Sequence, residues 1–186
     1  MTGIPVSSAA GFRFRAFERT GEDDNQNADP FVIFKHAGSD KPGTFLGYRL
    51  LYGFCLDRAK LLFPHLHITS FEIREEGRKL MTENCHRFGT PGIEAIIGDF
   101  LSVDLSALEA PDAIFIGGHG GKLVEILMVV SKKMKESGVI VFNSVSAESK
   151  EAFLRGIERN GMVLHPSTHI ALNEYNPIEI MKATLS

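Results

Sequence analysis

The sequence predicts an α/β domain in which helices cover both faces of a doubly wound, mostly parallel sheet of seven strands. Short continuous apolar runs alternate along the chain with segments whose apolar residues recur at helical spacing. Continuous apolar strands are typical of parallel sheets buried on both faces, and right-handed crossovers make such a sheet doubly wound. The 186 residues fit one domain. We expect an irregular arm over residues 1–29 and the domain over residues 30–186.

The first half of the pattern is predicted as follows. Strand one is the apolar run Phe31–Phe34, and a loop over Lys35–Thr44 follows it. Apolar residues at near-helical spacing then predict a first helix that Pro64 would end: Leu46, Leu50, Phe54 and Leu61. Strand two is predicted at 68–73 and strand three at 93–97. The helix between them presents one apolar face, made of Leu80, Met81, Cys85 and Phe88, and Gly89 fits the position just after its end.

The second half continues the alternation. Strands are predicted at 113–116, 139–142, 162–171 and 178–183. The helix after strand four carries an amphipathic stripe, and Gly138 follows it: Leu123, Ile126, Leu127, Val130 and Met134. The helix after strand five is marked by Phe153, Leu154 and Ile157 and ends at Gly161. Because ligands of such sheets bind beyond the carboxyl ends of the strands, the loops after the first four strands are candidates for a binding site.

The loops after strands one to three supply the candidate cofactor-binding residues Gly38, Glu72, Asp99 and Phe100. Gly38 would let the backbone approach a ligand, although an ordinary strand–helix loop explains it as well. Glu72 could accept hydrogen bonds from a ribose diol, or could be a solvated residue at a helix start. Asp99 could accept a hydrogen bond from the amino group of adenine while Phe100 stacks on the adenine base. Alternatively, Gly98-Asp99 could be a simple turn.

The loop after strand four is the most unusual segment, because four of its five residues are glycine: Gly117, Gly118, His119, Gly120 and Gly121. Such a loop predicts close approach of a ligand, or an anion-binding site at the start of the next helix, and a flexible turn is the alternative. A substrate with several carboxylates would suit this position. We predict Gly117 as cofactor-binding and the other four residues as substrate-binding. His119 could transfer a proton, although a surface histidine is the simpler interpretation.

Composition excludes several classes of function. The net charge of −3 and the pI near 6.2 argue against a nucleic-acid partner. No apolar run reaches the roughly 20 residues of a membrane span, and we see no signal peptide. Cys55 and Cys85 lack metal or redox spacing and indicate reduced thiols in a cytoplasmic protein. His65 and His67 flank Leu66, but no third ligand converges on them, so no metal is expected.

Several of these segments together resemble a known family. The run 111–121 (PDAIFIGGHGG), Leu123 and 125–127 resemble the P-D-A-x-F-I-G-G-x-G-G-x-L-x-E-I-L stretch of the CbiT-type decarboxylating precorrin C15-methyltransferases. These enzymes correspond to the C-terminal half of precorrin-6Y C5,15-methyltransferase. The resemblance continues through 138–145 (GVIVFNSV) and Asn176-Pro177-Ile178. Upstream it includes Phe71-Glu72, the segment 84–89 and Gly98-Asp99. It covers roughly residues 66 to 183.

The resemblance implies a class I methyltransferase with a Rossmann-like fold that uses S-adenosyl-L-methionine. It implies methylation of precorrin C15 with decarboxylation of the C12 acetate, in cobalamin biosynthesis. It also implies a homo-oligomer, by family resemblance a tetramer. The chain departs from the family at the strand-one glycine motif, where an alignment on Ala37-Gly38-Ser39 leaves Lys35, His36 and Asp40 in place of an acid and two glycines. The alternative is therefore a non-catalytic tetrapyrrole-binding or scaffold subunit with a degenerate cofactor site. A methyltransferase for tRNA is a third possibility, which the acidic net charge disfavours.

Overall fold

The computed structural model describes residues 44–48, 54–170 and 177–186. In chain order the elements are β1 Thr44–Tyr48, α1 Phe54–Leu62, β2 His67–Glu72, α2 Glu76–Phe88, β3 Ile93–Ile97, the 3₁₀ turn η1 Phe100–Ser102, β4 Ala113–Ile116, α3 Leu123–Lys133, β5 Val139–Ser144, α4 Ala147–Arg159, β6 Val163–Ile170 and β7 Ile178–Thr184. The predicted arm over residues 1–29 lies outside the described residues.

The strands form one seven-stranded sheet in the order β3-β2-β1-β4-β5-β7-β6. The first five strands in the chain run parallel, whereas β7 is antiparallel to both β5 and β6. The strand order reverses between β1 and β4, which are direct neighbours with Tyr48 paired to Ile116. The doubly wound, mostly parallel sheet expected from the sequence is confirmed. Its switch point lies where β1 and β4 end.

The structure has a strand at 44–48, where the sequence predicts the end of a loop and the start of a helix. β1 occupies 44–48 and pairs with β2 on one side and β4 on the other. Leu46, expected in a helix, is therefore in a strand, and the helix begins only at Phe54. The run Phe31–Phe34 and Gly38 lie outside the described residues. The predicted cofactor-binding role of Gly38 is therefore not tested by the described part of the chain. The connection after β1 is 49–53, which reads RLLYG.

The core has two layers, because successive side chains of a strand point to opposite faces of the sheet. In β4, Ile114 and Ile116 pack with α3 and α4, whereas Ala113 and Phe115 pack with α1 and α2. The helices α3 and α4 approach each other closely at Gly156, where an added Cβ would lie 2.3 Å from Cδ1 of Leu127. Both faces of the sheet are thus covered, as the continuous apolar strands indicated.

Candidate functional site

The carboxyl ends of the central strands bring together three of the predicted segments. Glu72 is the last residue of β2, and its carbonyl oxygen accepts a hydrogen bond from the backbone N–H of Gly98 at 2.9 Å. Asp99 therefore follows directly at the neighbouring strand end. The glycine turn follows β4, and a 2.7 Å ion pair between Lys122 Nζ and Asp99 Oδ2 joins it to the loop after β3. The acids and the glycine turn thus occupy the same edge of the sheet.

The carboxylate of Glu72 is buried, with only 3% of the side chain exposed, and Arg74 holds it from two residues away. The Oε1 atom accepts from the Arg74 backbone N–H at 3.1 Å and from its Nε at 3.0 Å. The Oε2 atom accepts from the guanidinium Nη2 at 3.2 Å. An added Cβ on Gly77 would lie 2.4 Å from Cγ of Glu72, so the start of α2 closes directly over this side chain.

Asp99 is held in place by one hydrogen bond on each oxygen. Its Oδ1 accepts from the backbone N–H of Leu101 at 3.2 Å and caps η1, and its Oδ2 accepts from Lys122. The Lys122 hydrogen bond and then the Leu101 N–H hold the pKa of Asp99 below its ordinary value. Asp99 is therefore an anion at neutral pH, able to accept a hydrogen bond from an amino group.

The aromatic ring next to Asp99 does not face the crevice. Phe100 is 1% exposed and lies edge-on to Phe71, with ring centroids 5.0 Å apart and an interplanar angle of 85°. The ring presents no exposed face on which adenine could stack, so the expectation of a stacking role is wrong. Burial in the core outcompetes exposure at this position, because a phenyl ring removed from water contributes about 1.5–3 kcal/mol. Phe100 instead anchors the loop that carries Asp99.

The glycine turn uses a left-handed backbone at Gly120 and Gly121, with φ of 56° and 83°. Residues with a Cβ adopt these angles at a cost, which accounts for glycine at both positions. The Lys122 N–H donates to the His119 carbonyl at 3.0 Å and closes the turn one residue before α3 begins. Gly117 is exposed and Gly118 is half-buried.

His119 is oriented by two contacts. Its Nδ1 accepts a hydrogen bond from the Gly121 N–H at 3.1 Å, and its ring lies 5.9 Å from the ring of Phe142 in an edge-to-face arrangement. Because Nδ1 is the acceptor, the neutral ring carries its proton on Nε2. The ring is half-buried, so the turn and Phe142 fix it while part of its surface meets solvent.

Sequence reasoning missed three polar residues of this region. Arg74 and Lys122 are the basic partners of the two acids, and neither signals its role by sequence, although both lie beside predicted site residues. Asn143 lies near the end of β5, after Phe142, which pairs with Ile116 of β4. Its Oδ1 is buried and makes no hydrogen bond. The only sequence signal for Asn143 was its place in the family-like run 138–145.

These residues fit a nucleoside ligand. A carboxylate at the end of β2 and another after β3 supply acceptors for a ribose diol and an exocyclic amine at the switch point of the sheet. Among the residues that the structure describes, no group of three His, Cys, Asp or Glu side chains could hold a metal ion. No helix in the described ranges is long and apolar enough to cross a membrane.

A family model described as a precorrin methyltransferase domain matches residues 61–183. The chain is 24% identical over 120 residues to a cobalt-precorrin-6B C(15)-methyltransferase (decarboxylating) from Salmonella typhimurium, which covers 64% of this chain and 61% of that protein. It is 30% identical over 91 residues to a precorrin-6Y C(5,15)-methyltransferase [decarboxylating] from Sinorhizobium, covering 49% of this chain and 22% of that protein. The matched region thus spans less than two thirds of either relative.

A solved structure of precorrin-6Y C5,15-methyltransferase from Geobacter metallireducens superposes with a TM-score of 0.74 at 22% identity, covering 89% of this chain and 91% of that chain. At this identity the similarity shows the fold, which is the Rossmann-like fold of class I methyltransferases. The match of the family model extends over more than half of the sequence and includes β2 to β7 and the glycine turn. The chain belongs to the precorrin methyltransferase domain family.

Proposed function

We propose that this protein is an S-adenosyl-L-methionine-dependent methyltransferase of cobalamin biosynthesis. It would methylate C15 of a precorrin with decarboxylation, as the names of its relatives suggest. The family resemblance implies that the C12 acetate is the group that loses carbon dioxide. The observation that carries the proposal is the edge of the sheet where the acids Glu72 and Asp99 meet the glycine turn. That edge lies at the topological switch point, where open α/β sheets bind nucleotides.

In this proposal the two acids hold the nucleoside. Glu72 would accept hydrogen bonds from the ribose hydroxyls, and Asp99 would accept one from the adenine amino group. The backbone at Gly117 would lie beside the ligand. S-adenosyl-L-methionine supplies a methyl group activated by its sulfonium. The protein contributes mainly alignment, because a correctly oriented methyl donor and carbon nucleophile can supply much of the rate enhancement.

The glycine turn would bind the substrate through its backbone. N–H groups at Gly118 and Gly120 precede α3, where the helix dipole favours the carboxylates of a tetrapyrrole, and the Gly121 N–H orients His119 beside them. His119 would present Nε2–H at the same edge as a hydrogen-bond or proton donor. The conjugated macrocycle is an electron sink for decarboxylation, so the chain needs no strong base.

Calorimetry with S-adenosylhomocysteine tests the cofactor site. Glu72→Gln should weaken binding by about 10- to 150-fold, because it removes one charge-assisted acceptor that contributes about 1.5–3 kcal/mol. Glu75→Gln is the matched control, since Glu75 is 78% exposed and pairs only weakly with Arg78 at 3.5 Å. Turnover of a precorrin with labelled S-adenosyl-L-methionine should then yield methylated product and carbon dioxide. Binding by wild type without turnover would contradict the enzymatic proposal.

A non-catalytic tetrapyrrole-binding or scaffold subunit is the second candidate. The observation that favours it is the connection after β1, where 49–53 contains one glycine, Gly53, in place of a glycine-rich motif. A side chain in such a loop can crowd a ligand that the backbone would otherwise approach. Absence of S-adenosylhomocysteine binding up to millimolar concentration, with tetrapyrrole binding retained, would favour this candidate over the enzyme.

We also propose a cytoplasmic homo-oligomer, a tetramer by family resemblance. The edge strand β6 supports association between copies of the chain. It is the outermost described strand on its side of the sheet, and Val163 and Leu164 are 45% and 43% exposed. Edge strands with apolar residues pair readily with a second chain. The acidic net charge supports a small-molecule substrate over nucleic acid.

A further inference from the structure

The carboxylate proposed to bind the ribose already has a partner within the chain. Arg74 donates three hydrogen bonds to Glu72, two to Oε1 and one to Oε2, at 3.0 to 3.2 Å. The two side chains differ sharply in environment, since Glu72 is 3% exposed and Arg74 is 46% exposed. The acid is therefore fixed within the fold, whereas the guanidinium has water to move into.

The number of acceptor sites on a carboxylate makes this pairing a competition. An ionised carboxylate offers about four lone-pair sites, and Arg74 uses three of them. A ribose diol bound by both hydroxyls needs two sites, so at least one Arg74 bond must break. The backbone N–H of Arg74 is part of the turn into α2, where the Arg74 carbonyl accepts from Gly77 N–H at 3.0 Å. The side-chain bonds are the ones that can be released.

We propose that Arg74 is an affinity-determining residue that occupies the ribose position on Glu72 until a nucleoside displaces it. This inference rests on the proposed function, because it assumes that Glu72 binds the ribose. Displacement costs binding energy, so the wild-type chain binds its cofactor more weakly than the same site without the guanidinium. The effect belongs to Arg74 and not to basic residues in general. Arg78, one turn further along α2, contacts Glu75 and the Ala95 carbonyl at 3.5 Å.

The test is a double-mutant cycle measured by calorimetry with S-adenosylhomocysteine, a ligand that undergoes no methyl transfer. Arg74→Ala should bind roughly three- to tenfold more tightly than wild type, the range expected for releasing a partly exposed ion pair. Arg74→Lys, which keeps the charge but cannot bridge both oxygens, should tighten binding less. Arg78→Ala should leave the affinity unchanged. In the Glu72→Gln background, removing Arg74 should have little effect, because the competition acts through the carboxylate.

The outcomes separate this inference from the proposed function. If wild type binds and Arg74→Ala binds equally or more weakly, the competition is refuted while the cofactor site stands. If neither protein binds, both proposals are refuted. If only the variant binds, both are supported, and Arg74 is the reason that wild type does not. Should Arg74→Ala fail to fold, the tightening expected for Arg74→Lys decides the question, and an unchanged affinity there overturns the inference.

Discussion

At the residue scale, Gly77 shows how one missing side chain shapes the site. It lies in the first turn of α2, and an added Cβ would come within 2.4 Å of Glu72 Cγ and 3.2 Å of its Cβ. The overlap involves the root of the Glu72 side chain, whose carboxylate is itself tied to Arg74. A residue with a Cβ cannot be accommodated there unless Glu72 shifts.

We therefore predict that Gly77→Ala destabilises the fold by about 1–3 kcal/mol, the usual cost of overpacking, despite the better helix propensity of alanine. It should also weaken S-adenosylhomocysteine binding, because Glu72 must leave its position. Urea denaturation and calorimetry measure the two effects. Lys79→Ala is the control on the same helix, since Lys79 is 82% exposed. A more stable variant with unchanged affinity would mean that the added Cβ is accommodated without moving the Glu72 carboxylate.

A second residue-scale prediction concerns a buried acid on the other side of the sheet from Phe100. Asp57 on α1 is 3% exposed and accepts a hydrogen bond from the Thr90 hydroxyl. Burial raises the pKa of Asp57, and hydrogen bonds from Thr90 and Cys85 offset only part of that rise. The pKa of Asp57 is higher in the folded chain than in the unfolded chain, so folding favours the protonated carboxyl. The stabilisation that comes from this protonation is fully present below the unfolded pKa and is lost as the pH rises through the folded pKa.

The ionised form of Asp57 therefore lowers the free energy of unfolding at neutral pH. The substitution Asp57→Asn removes that charge and keeps an acceptor for the Thr90 hydroxyl. The variant should be more stable than wild type at pH 7, by about 1 kcal/mol, and the advantage should disappear near pH 4. Urea unfolding at the two pH values measures this difference. Glu151→Gln, at a 71% exposed site, should show no comparable pH dependence. Destabilisation of Asp57→Asn that is larger at pH 7 than near pH 4 would instead show that the carboxylate charge is favourably paired.

At the element scale, Asp112 joins the starts of the central strands. Its Oδ2 accepts from the Thr44 N–H at 2.8 Å, and its two oxygens accept from Lys135 Nζ at 2.8 and 2.7 Å. Its backbone N–H donates to the Thr44 carbonyl and its carbonyl accepts from the Val139 N–H. One residue thereby fixes β1, β4 and β5 at the edge of the sheet opposite the site.

The two side-chain partners of Asp112 should differ in worth. Asp112→Ala leaves the Thr44 N–H without this acceptor and should cost about 1–3 kcal/mol in the free energy of unfolding. Lys135→Ala should cost at most about 1 kcal/mol, because Lys135 is 44% exposed and its ion pair is solvated. Urea denaturation of both variants checks the ranking. Equal losses would show that the ion pair, and not the strand contact, carries the stabilisation.

The elements also show what the sequence could predict. Strands three and four were predicted at their observed bounds, and β2, β5, β6 and β7 within two residues, because apolar runs of that length between helical patterns have few alternatives. The strand at 44–48 (TFLGY) was missed because its few apolar residues continued the helical spacing of the next segment. Its identity as a strand is decided by pairing with β2 and β4, which are distant in sequence.

The same limit applied to the site. Position alone indicated Glu72, Asp99 and the glycine turn, since residues after parallel strands share one edge. The partner of Asp99 could not be inferred, because Lys122 lies 23 residues away and meets it only when η1 packs beside α3. The burial of Phe100 could not be predicted either, because the sequence does not show whether a ring that follows a strand points into the core or towards the ligand crevice.

Across the whole molecule, the amino ends and the carboxyl ends of the central strands have different roles. Asp112 stabilises the amino ends of the central strands, whereas the carboxyl ends hold the acids and the glycine turn. The antiparallel pair β6 and β7 extends the sheet away from this site. Pro166 and the register shift between His165 and Thr168 divide β6 into two regularly paired segments, 163–165 and 168–170. Pairing with a second copy through residues 163–165, which include the exposed Val163 and Leu164, would be interrupted at Pro166, because proline cannot donate a ladder hydrogen bond.

The exposed apolar residues at the start of β6 can be tested as an intersubunit contact. Leu164→Lys places a charge at a 43% exposed position, which should change the stability of a single chain by no more than about 0.5 kcal/mol. In an oligomer built on this edge, copies of the lysine would meet an apolar contact and one another, so sedimentation should show a shift to monomers with an unchanged far-ultraviolet spectrum. Leu61→Lys, at a 47% exposed site at the end of α1, is the control and should keep the wild-type mass. A wild-type monomer would refute the homo-oligomer, and an oligomer that survives Leu164→Lys would show that the contact lies away from β6.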